Sequence, residues 1–188
     1  PNVISFNAAI SACEKGGFVE KALELLQKMR NSRVLPTVVS FSAAISACEK
    51  KDQWETALSL LEEMREAGVT PNAIIYSAAI SAYERGGLWE RALLLFHQMR
   101  EAGVTPDVIS FSAAVSTCEK GGQWEQALSL LHKMRTATVK PDVIVFNAAI
   151  SACGEGNEGQ QAVFLLEKMQ TAHLKPNVIS FNAAISAC

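Results

Sequence analysis

The segment Val3-Ile4-Ser5-Phe6-Asn7-Ala8-Ala9-Ile10-Ser11-Ala12-Cys13 decides the fold. Phe6, Ala9, Ile10 and Cys13 stand at i, i+3, i+4 and i+7, which places them on one face of a helix. Lys15-Gly16-Gly17 then interrupts the pattern, and paired glycines favour a turn. A second apolar face follows in Ala22, Leu23, Leu26 and Met29, and Arg30 supplies a cation suited to a helix C-terminus. A short linker runs to Pro36, where proline favours a stop and restart, and Thr37 can cap the next helix. The unit is one helical hairpin.

Working outward, that unit recurs. The prolines fall at Pro1, Pro36, Pro71, Pro106, Pro141 and Pro176, always 35 residues apart. Met29, Met64, Met99, Met134 and Met169 keep the same interval. So do Cys13, Cys48, Cys118, Cys153 and Cys188, with Tyr83 filling the gap. Several residue types sharing one period mark a tandem array. The spacing divides the chain into repeats 3–37, 38–72, 73–107, 108–142 and 143–177. Residues 1–2 are the tail of a preceding repeat, and 178–188 are the first helix of a sixth that stops at Cys188. The chain therefore reads as part of a longer array.

No strand-like alternation interrupts the helical pattern. An isolated hairpin of this length cannot bury enough surface to be stable, so the core must be shared between neighbours. The expected fold is all-α, a right-handed α-solenoid of helix-turn-helix hairpins. Alanine pairs such as Ala43-Ala44 put small side chains on every first helix, so helices can approach closely. Trp54, Trp89 and Trp124 open three of the second helices, where packing between hairpins is the expected role.

Composition excludes several function classes. The 188 residues carry 19 acidic and 17 basic side chains, a net charge of −2, and are 49% hydrophobic. That balance excludes intrinsic disorder and a generally basic nucleic-acid coat. No apolar run is long enough to span a membrane, and no targeting peptide is visible. No repeat holds more than one cysteine, and no Cys-x-x-Cys or Cys/His spacing occurs, so no metal site is expected and each thiol reads as a small buried hydrophobe. His97, His132 and His173 occupy unrelated positions, and there is no nucleophile–base pair or phosphate loop. Neither catalytic residues nor a cofactor are expected.

The 35-residue period, the aromatic at the fourth position (Phe6, Phe41, Tyr76, Phe111, Phe146, Phe181) and the run Ala22-Leu23-Glu24-Leu25-Leu26-Gln27-Lys28-Met29-Arg30 resemble the pentatricopeptide repeat family, of the P type. The resemblance covers the whole chain. It implies single-stranded RNA as partner, read at one base per repeat. In that family the fifth and last residues of each repeat read the base. Carried over, the pairs are Asn7 with Thr37, Ser42 with Asn72, Ser77 with Asp107, Ser112 with Asp142 and Asn147 with Asn177; Asn182 opens a sixth. The second position, which sandwiches the base, holds Ile4, Val39, Ile74, Ile109, Ile144 and Ile179. Lys15, Lys50, Arg85 and Lys120, near the end of each first helix, are candidates for phosphate contact.

Part of such a code follows from chemistry. A carboxylate only accepts hydrogen bonds, so Asp favours G or U, while the Asn amide can donate to the ring nitrogen of A or C. The resemblance adds that a small hydroxyl at the fifth position goes with purines and Asn with pyrimidines. Repeats two to five then read 5′-AGGC-3′; Thr37 leaves repeat one with a weak pyrimidine lean. Family members act mostly in mitochondria or chloroplasts and often carry catalytic or editing domains beyond the repeats.

Two plainer readings compete. The last-position residues are all good N-caps and could do nothing more. The array could also be a peptide-binding or scaffold solenoid, which near-neutral charge favours. In the fifth repeat Gly154-Glu155 replaces the Glu-Lys pair, and Gly154, Gly156 and Gly159 loosen the hairpin, so it is expected to be the softest. The bare final helix, exposing Ile185, is expected to promote end-to-end self-association.

Overall fold

The computed structural model describes residues 2–188; Pro1, half of the expected leading tail, lies outside the described residues. Those residues form eleven α-helices and no strand. They are α1 (Val3–Gly16), α2 (Val19–Asn31), α3 (Val38–Lys50), α4 (Trp54–Glu66), α5 (Ala73–Arg85), α6 (Trp89–Glu101), α7 (Val108–Lys120), α8 (Trp124–Thr136), α9 (Val143–Glu155), α10 (Gly159–Thr171) and α11 (Val178–Ser186). The chain forms two compact units, one up to Gly86 and one from Gly87. The fold class is all-α and built of helical repeats.

In the first unit α1 packs on α2 and α3, and α3 packs on α2, α4 and α5. In the second unit α7 packs on α6, α8 and α9, while α9 packs on α8, α10 and α11. Each odd-numbered helix in the middle of a unit is thus shared by two hairpins, as a core too small for one hairpin requires. Ala44, Ala79, Ala114 and Ala149 are fully buried at these contacts, where the absence of a longer side chain lets neighbouring helices close up. Met29, Met64, Met99, Met134 and Met169 are all buried, the flexible thioether filling space between helices.

The methionine carbonyls also end the second helices. Val34, Val69, Val104 and Val139 each donate their N–H to the methionine carbonyl five residues back at 3.0 Å, and Leu174 does so at 3.1 Å. This is the wide bond of a Schellman cap, which needs a left-handed residue inside it. Gly68 and Gly103 supply it with φ near 70°, but Arg33, Thr138 and His173 adopt φ of 56°, 58° and 59° in the other linkers. The hairpin turns repeat the device at Gly17, Gly87, Gly122, Asp52 and Asn157.

The tryptophans hold successive hairpins together. The Trp54 ring lies against Gly86 and the Trp89 ring against Gly121, so close that a Cβ would come within 2.9 Å and 2.8 Å of ring carbons. Trp124 covers Gly156 in the same way. The expected packing role is what the geometry shows. Cys48, Cys118 and Cys153 are buried as expected, whereas Cys13 is only half-buried and Cys188 is exposed. On α11, Val178, Phe181 and Ile185 are exposed.

Candidate functional site

The odd-numbered helices carry an apolar residue where a helix facing water would not. Ile4, Val39, Ile74, Ile109, Ile144 and Ile179 are each between 51% and 76% exposed. They occupy the second position of each helix, one residue before a position that is buried at Ser40, Ile75, Ser110, Val145 and Ser180. Their exposure therefore follows from the helical screw and is not a failure to pack.

Immediately before each of these helices stands its N-cap residue. Asn2 Oδ1 accepts from Ser5 N–H at 3.0 Å and Asn72 Oδ1 from Ile75 N–H at 3.0 Å. Asp107 Oδ1 accepts from Ser110 N–H at 2.8 Å, Asp142 Oδ1 from Val145 N–H at 2.9 Å and Asn177 Oδ1 from Ser180 N–H at 3.0 Å. At Thr37 the backbone N–H instead donates to Ser40 Oγ at 3.0 Å. Capping is thus observed, and it has a chemical consequence. A backbone N–H requires an oxygen, so the cap engages Oδ1 and leaves the other terminal atom outside the capping bond. That atom is a donor, Nδ2, in Asn72 and Asn177, and an acceptor, Oδ2, in Asp107 and Asp142.

In the first unit an open cavity of about 370 Å³ is lined by Ser11, Glu14, Val39, Ser42, Ala43, Ser46, Asn72 and Ile74. The second- and fifth-position residues of one repeat, its last residue and the second-position residue of the next therefore line one space. Ser77 Oγ donates back to the Ala73 carbonyl at 2.8 Å, and Ser112 is half-buried on α7.

The asparagines at the fifth position behave differently. Ser40 Oγ donates to Asn7 Oδ1 at 2.5 Å, and Asn7 Nδ2 donates to Thr37 Oγ1 at 3.3 Å. In the second unit Ser180 Oγ donates to Asn147 Oδ1 at 2.6 Å, and Asn147 Nδ2 donates to Asn177 Oδ1 at 3.4 Å. Each is a bridge between one repeat's fifth residue and the start of the next. Nothing in local sequence periodicity announces it, because the partners lie 30 and 33 residues apart.

The candidate phosphate-binding cations sit at helix C-termini, and Lys50 and Arg85 are seen to hold an anion. Lys50 Nζ lies 2.6 Å from Glu14 Oε1. Arg85 Nη1 lies 2.7 Å from Asp52 Oδ1 and donates to the Glu49 carbonyl at 2.7 Å. Lys15 and Lys120 are exposed at the ends of α1 and α7. A phosphate at Lys50 or Arg85 would have to share the cation with a carboxylate from the preceding hairpin.

The three buried thiols offer no ready nucleophile. Burial pushes Cys48 and Cys153 up to about 11 and Cys118 up to about 12, far from the range where a thiolate forms at neutral pH. Among the described residues no group of three or more His, Cys, Asp or Glu side chains could hold a metal ion, and no helix is long and apolar enough to cross a membrane.

Comparison with known proteins places this geometry. A family model for the pentacotripeptide-repeat region of PRORP matches residues 2–144, and one for the pentatricopeptide repeat domain matches residues 129–188. Among solved structures, the pentatricopeptide repeat protein PPR10 from maize, in complex with an 18-nt psaJ RNA element, is similar at TM-score 0.78 and 23% identity. That match covers 100% of this chain and 28% of the PPR10 chain, so this chain spans little more than a quarter of its length. The PPR domain of Arabidopsis thaliana protein-only RNase P 1, in complex with tRNA, is similar at TM-score 0.86 and 15% identity, covering 98% of this chain and 97% of that one. Arabidopsis thaliana nuclear protein-only RNase P 2 is similar at TM-score 0.84 and 12% identity, covering 98% of this chain and 42% of that one. No curated protein matches.

Proposed function

Because the chain belongs to the pentatricopeptide repeat family, we propose that it binds single-stranded RNA along its odd-numbered helices, one base per repeat. The observation that carries this reading is the cavity lined by Val39, Ser42, Asn72 and Ile74. Two exposed aliphatic side chains, Val39 and Ile74, form apolar walls suited to the faces of a base. Between them Ser42 and Asn72 offer polar atoms at its edge. The RNAs named with PPR10 and with protein-only RNase P 1 support the same class of ligand.

The caps supply the second half of the code. With Oδ1 held by a backbone N–H, Asn72 and Asn177 turn a donor outward and so select A or C. Asp107 and Asp142 turn an acceptor outward and so select G or U. The fifth residue selects size: the short serines 42, 77 and 112 leave room for a purine, whereas the longer Asn147 occupies that room and suits a pyrimidine. The site read by repeats two to five is 5′-AGGC-3′. The array acts by occupancy, shielding the bound strand or holding it unfolded, in RNA processing, stability or translation. A mitochondrial or chloroplast setting is proposed from the family, with the nuclear RNase P among the similar structures marking the other compartment to test.

A peptide-binding scaffold is the second reading, favoured by the ion pairs that engage Lys50 and Arg85. Fluorescence anisotropy with a labelled 12-mer containing AGGC, against a scramble of equal composition, separates the two. RNA reading predicts preference for AGGC and a log–log salt slope of about −3, as expected for roughly four phosphates on a single strand. Salt-sensitive binding without preference would overturn the code, and binding to neither strand at micromolar protein would overturn RNA reading by this chain.

A further inference from the structure

We infer that Ser40 and Ser180 are positioning residues for base selection: each holds the reading asparagine of the preceding repeat in one orientation. This rests on the RNA-reading proposal and deepens it, by making the pyrimidine preference of a repeat depend on the third residue of the next one.

The slot in question recurs at Ser40, Ile75, Ser110, Val145 and Ser180, and all five side chains are fully buried. The slot therefore accepts either a hydroxyl or a branched aliphatic group without loss of the fold. Its occupant varies with the fifth residue of the repeat before it. Asn7 and Asn147 are followed by Ser40 and Ser180, which donate to their Oδ1 atoms at 2.5 Å and 2.6 Å. Ser42 and Ser112 are followed by Ile75 and Val145, which have no hydrogen to give. Where Ser110 fills the slot after Ser77, its hydroxyl lies 2.7 Å from Asp107 Oδ1 on its own cap, a contact that Ser180 also has with Asn177 Oδ1 at 3.1 Å beside its bond to Asn147.

The chemistry explains the pattern. An amide is ambiguous about its ends: rotating it by half a turn exchanges an acceptor for a donor. A buried hydroxyl aimed at Oδ1 removes that ambiguity. Asn147 then spends one Nδ2 hydrogen on Asn177 Oδ1 at 3.4 Å and keeps the other for a ligand. The base consequently meets a fixed N–H donor, which complements the ring-carbonyl oxygens that pyrimidines present. Replace the serine by valine and Oδ1 faces an apolar wall; the amide loses its anchor and offers either end.

The test uses the whole chain and four 12-mers that differ only at the fifth contacted base. Asn147→Ser tests the underlying reading, because it should move preference from C towards a purine. Ser180→Val tests the inference, and Val145 in the same slot shows that valine fits. The expected result is a fall of about fivefold in the C-over-purine ratio, the equivalent of one neutral hydrogen bond, with the other three bases read as before. Ser180→Thr keeps a hydroxyl and should restore the ratio. Ser40→Ile, with Ile75 as its precedent, repeats the test at the first repeat, with four further 12-mers that differ only at the first contacted base. If Asn147→Ser shifts preference while Ser180→Val and Ser40→Ile leave it intact, the inference fails and the reading stands. If Ser180→Val weakens binding to all four RNAs equally, the serine is structural only and the inference fails. If Asn147→Ser changes no preference, the reader assignment itself fails.

Discussion

Asp142→Asn separates capping from reading at a single residue. Asp142 Oδ1 accepts the Val145 N–H at 2.9 Å, and asparagine keeps an oxygen in that place. Asn and Asp are equivalent as N-caps, so the cap contributes almost nothing to the difference; losing the charge at the helix N-terminus costs about 0.3–1 kcal/mol. On a domain of this size that lowers the melting temperature by only about 1–4 °C. The outward atom, however, changes from an acceptor to a donor. Opposite G, the new Nδ2–H meets the N1–H of the base, and two donors face each other; opposite A, it meets an unprotonated N1. Base discrimination of this kind is worth about 1–3 kcal/mol, so preference at the fourth contacted base should swing from G to A by about 5- to 150-fold. Anisotropy titrations with two RNAs differing at that base, alongside a thermal melt, read both quantities. Asp142→Ala gives the contrast, since it loses cap and reader together and should cost about 1 kcal/mol of stability. A variant Asp142→Asn that folds normally and still prefers G would refute the claim that the cap directs the reading atom.

Further expectations concern the scaffold. Thr138→Gly should raise the melting temperature, because a β-branched residue held at φ 58° carries about 1–2 kcal/mol of strain that glycine lacks; an unchanged or lower value counts against the left-handed turn. Gly121→Ala should destabilise by about 1–3 kcal/mol, since its Cβ would lie 2.8 Å from the Trp89 ring, yet become neutral or favourable in a Trp89→Ala background; additive effects in chemical denaturation would refute the contact. At pH 8 a thiol held near 12 is ionised to about one part in ten thousand, so a disulfide reagent should label exposed Cys188 at once and Cys118 only after unfolding; rapid labelling of Cys118 would contradict its burial. Ile185→Ser should weaken any concentration-dependent association seen by sedimentation, because Ile185 is 72% exposed on α11; a wild-type chain that stays monomeric at high concentration removes that expectation.

Much of the fold was legible because its information is local and repeated. Phe6, Ile10 and Met29 announce buried faces by helical spacing alone, and Pro36 with Thr37 marks a helix restart without reference to anything distant. The burial of the periodic methionines and the packing of the tryptophans follow from the same periodicity. What stayed hidden depends on atoms brought together across repeats. No local pattern predicts that Lys50 will meet Glu14, 36 residues away, or that Asn7 will be held by Ser40. The left-handed linkers were half visible: Gly68 and Gly103 suggest them, while Arg33 and Thr138 at the equivalent position do not. Of the candidate site, the residues could be named from the sequence, but the orientation of their amides and carboxylates could not, because the caps fix it.

The dual duty proposed for the last residue bears on how such an array would change its target. Only a handful of side chains cap a helix well, and among them Asn and Asp are interchangeable to the fold. Under the proposed code an exchange between them would rewrite one letter of the recognised strand while leaving the hairpin almost as stable as before. Drift at these positions would then be nearly invisible to selection for folding and fully visible to selection for target. On that reading a lineage of duplicated arrays would explore new RNA words one substitution at a time, without passing through unfolded intermediates.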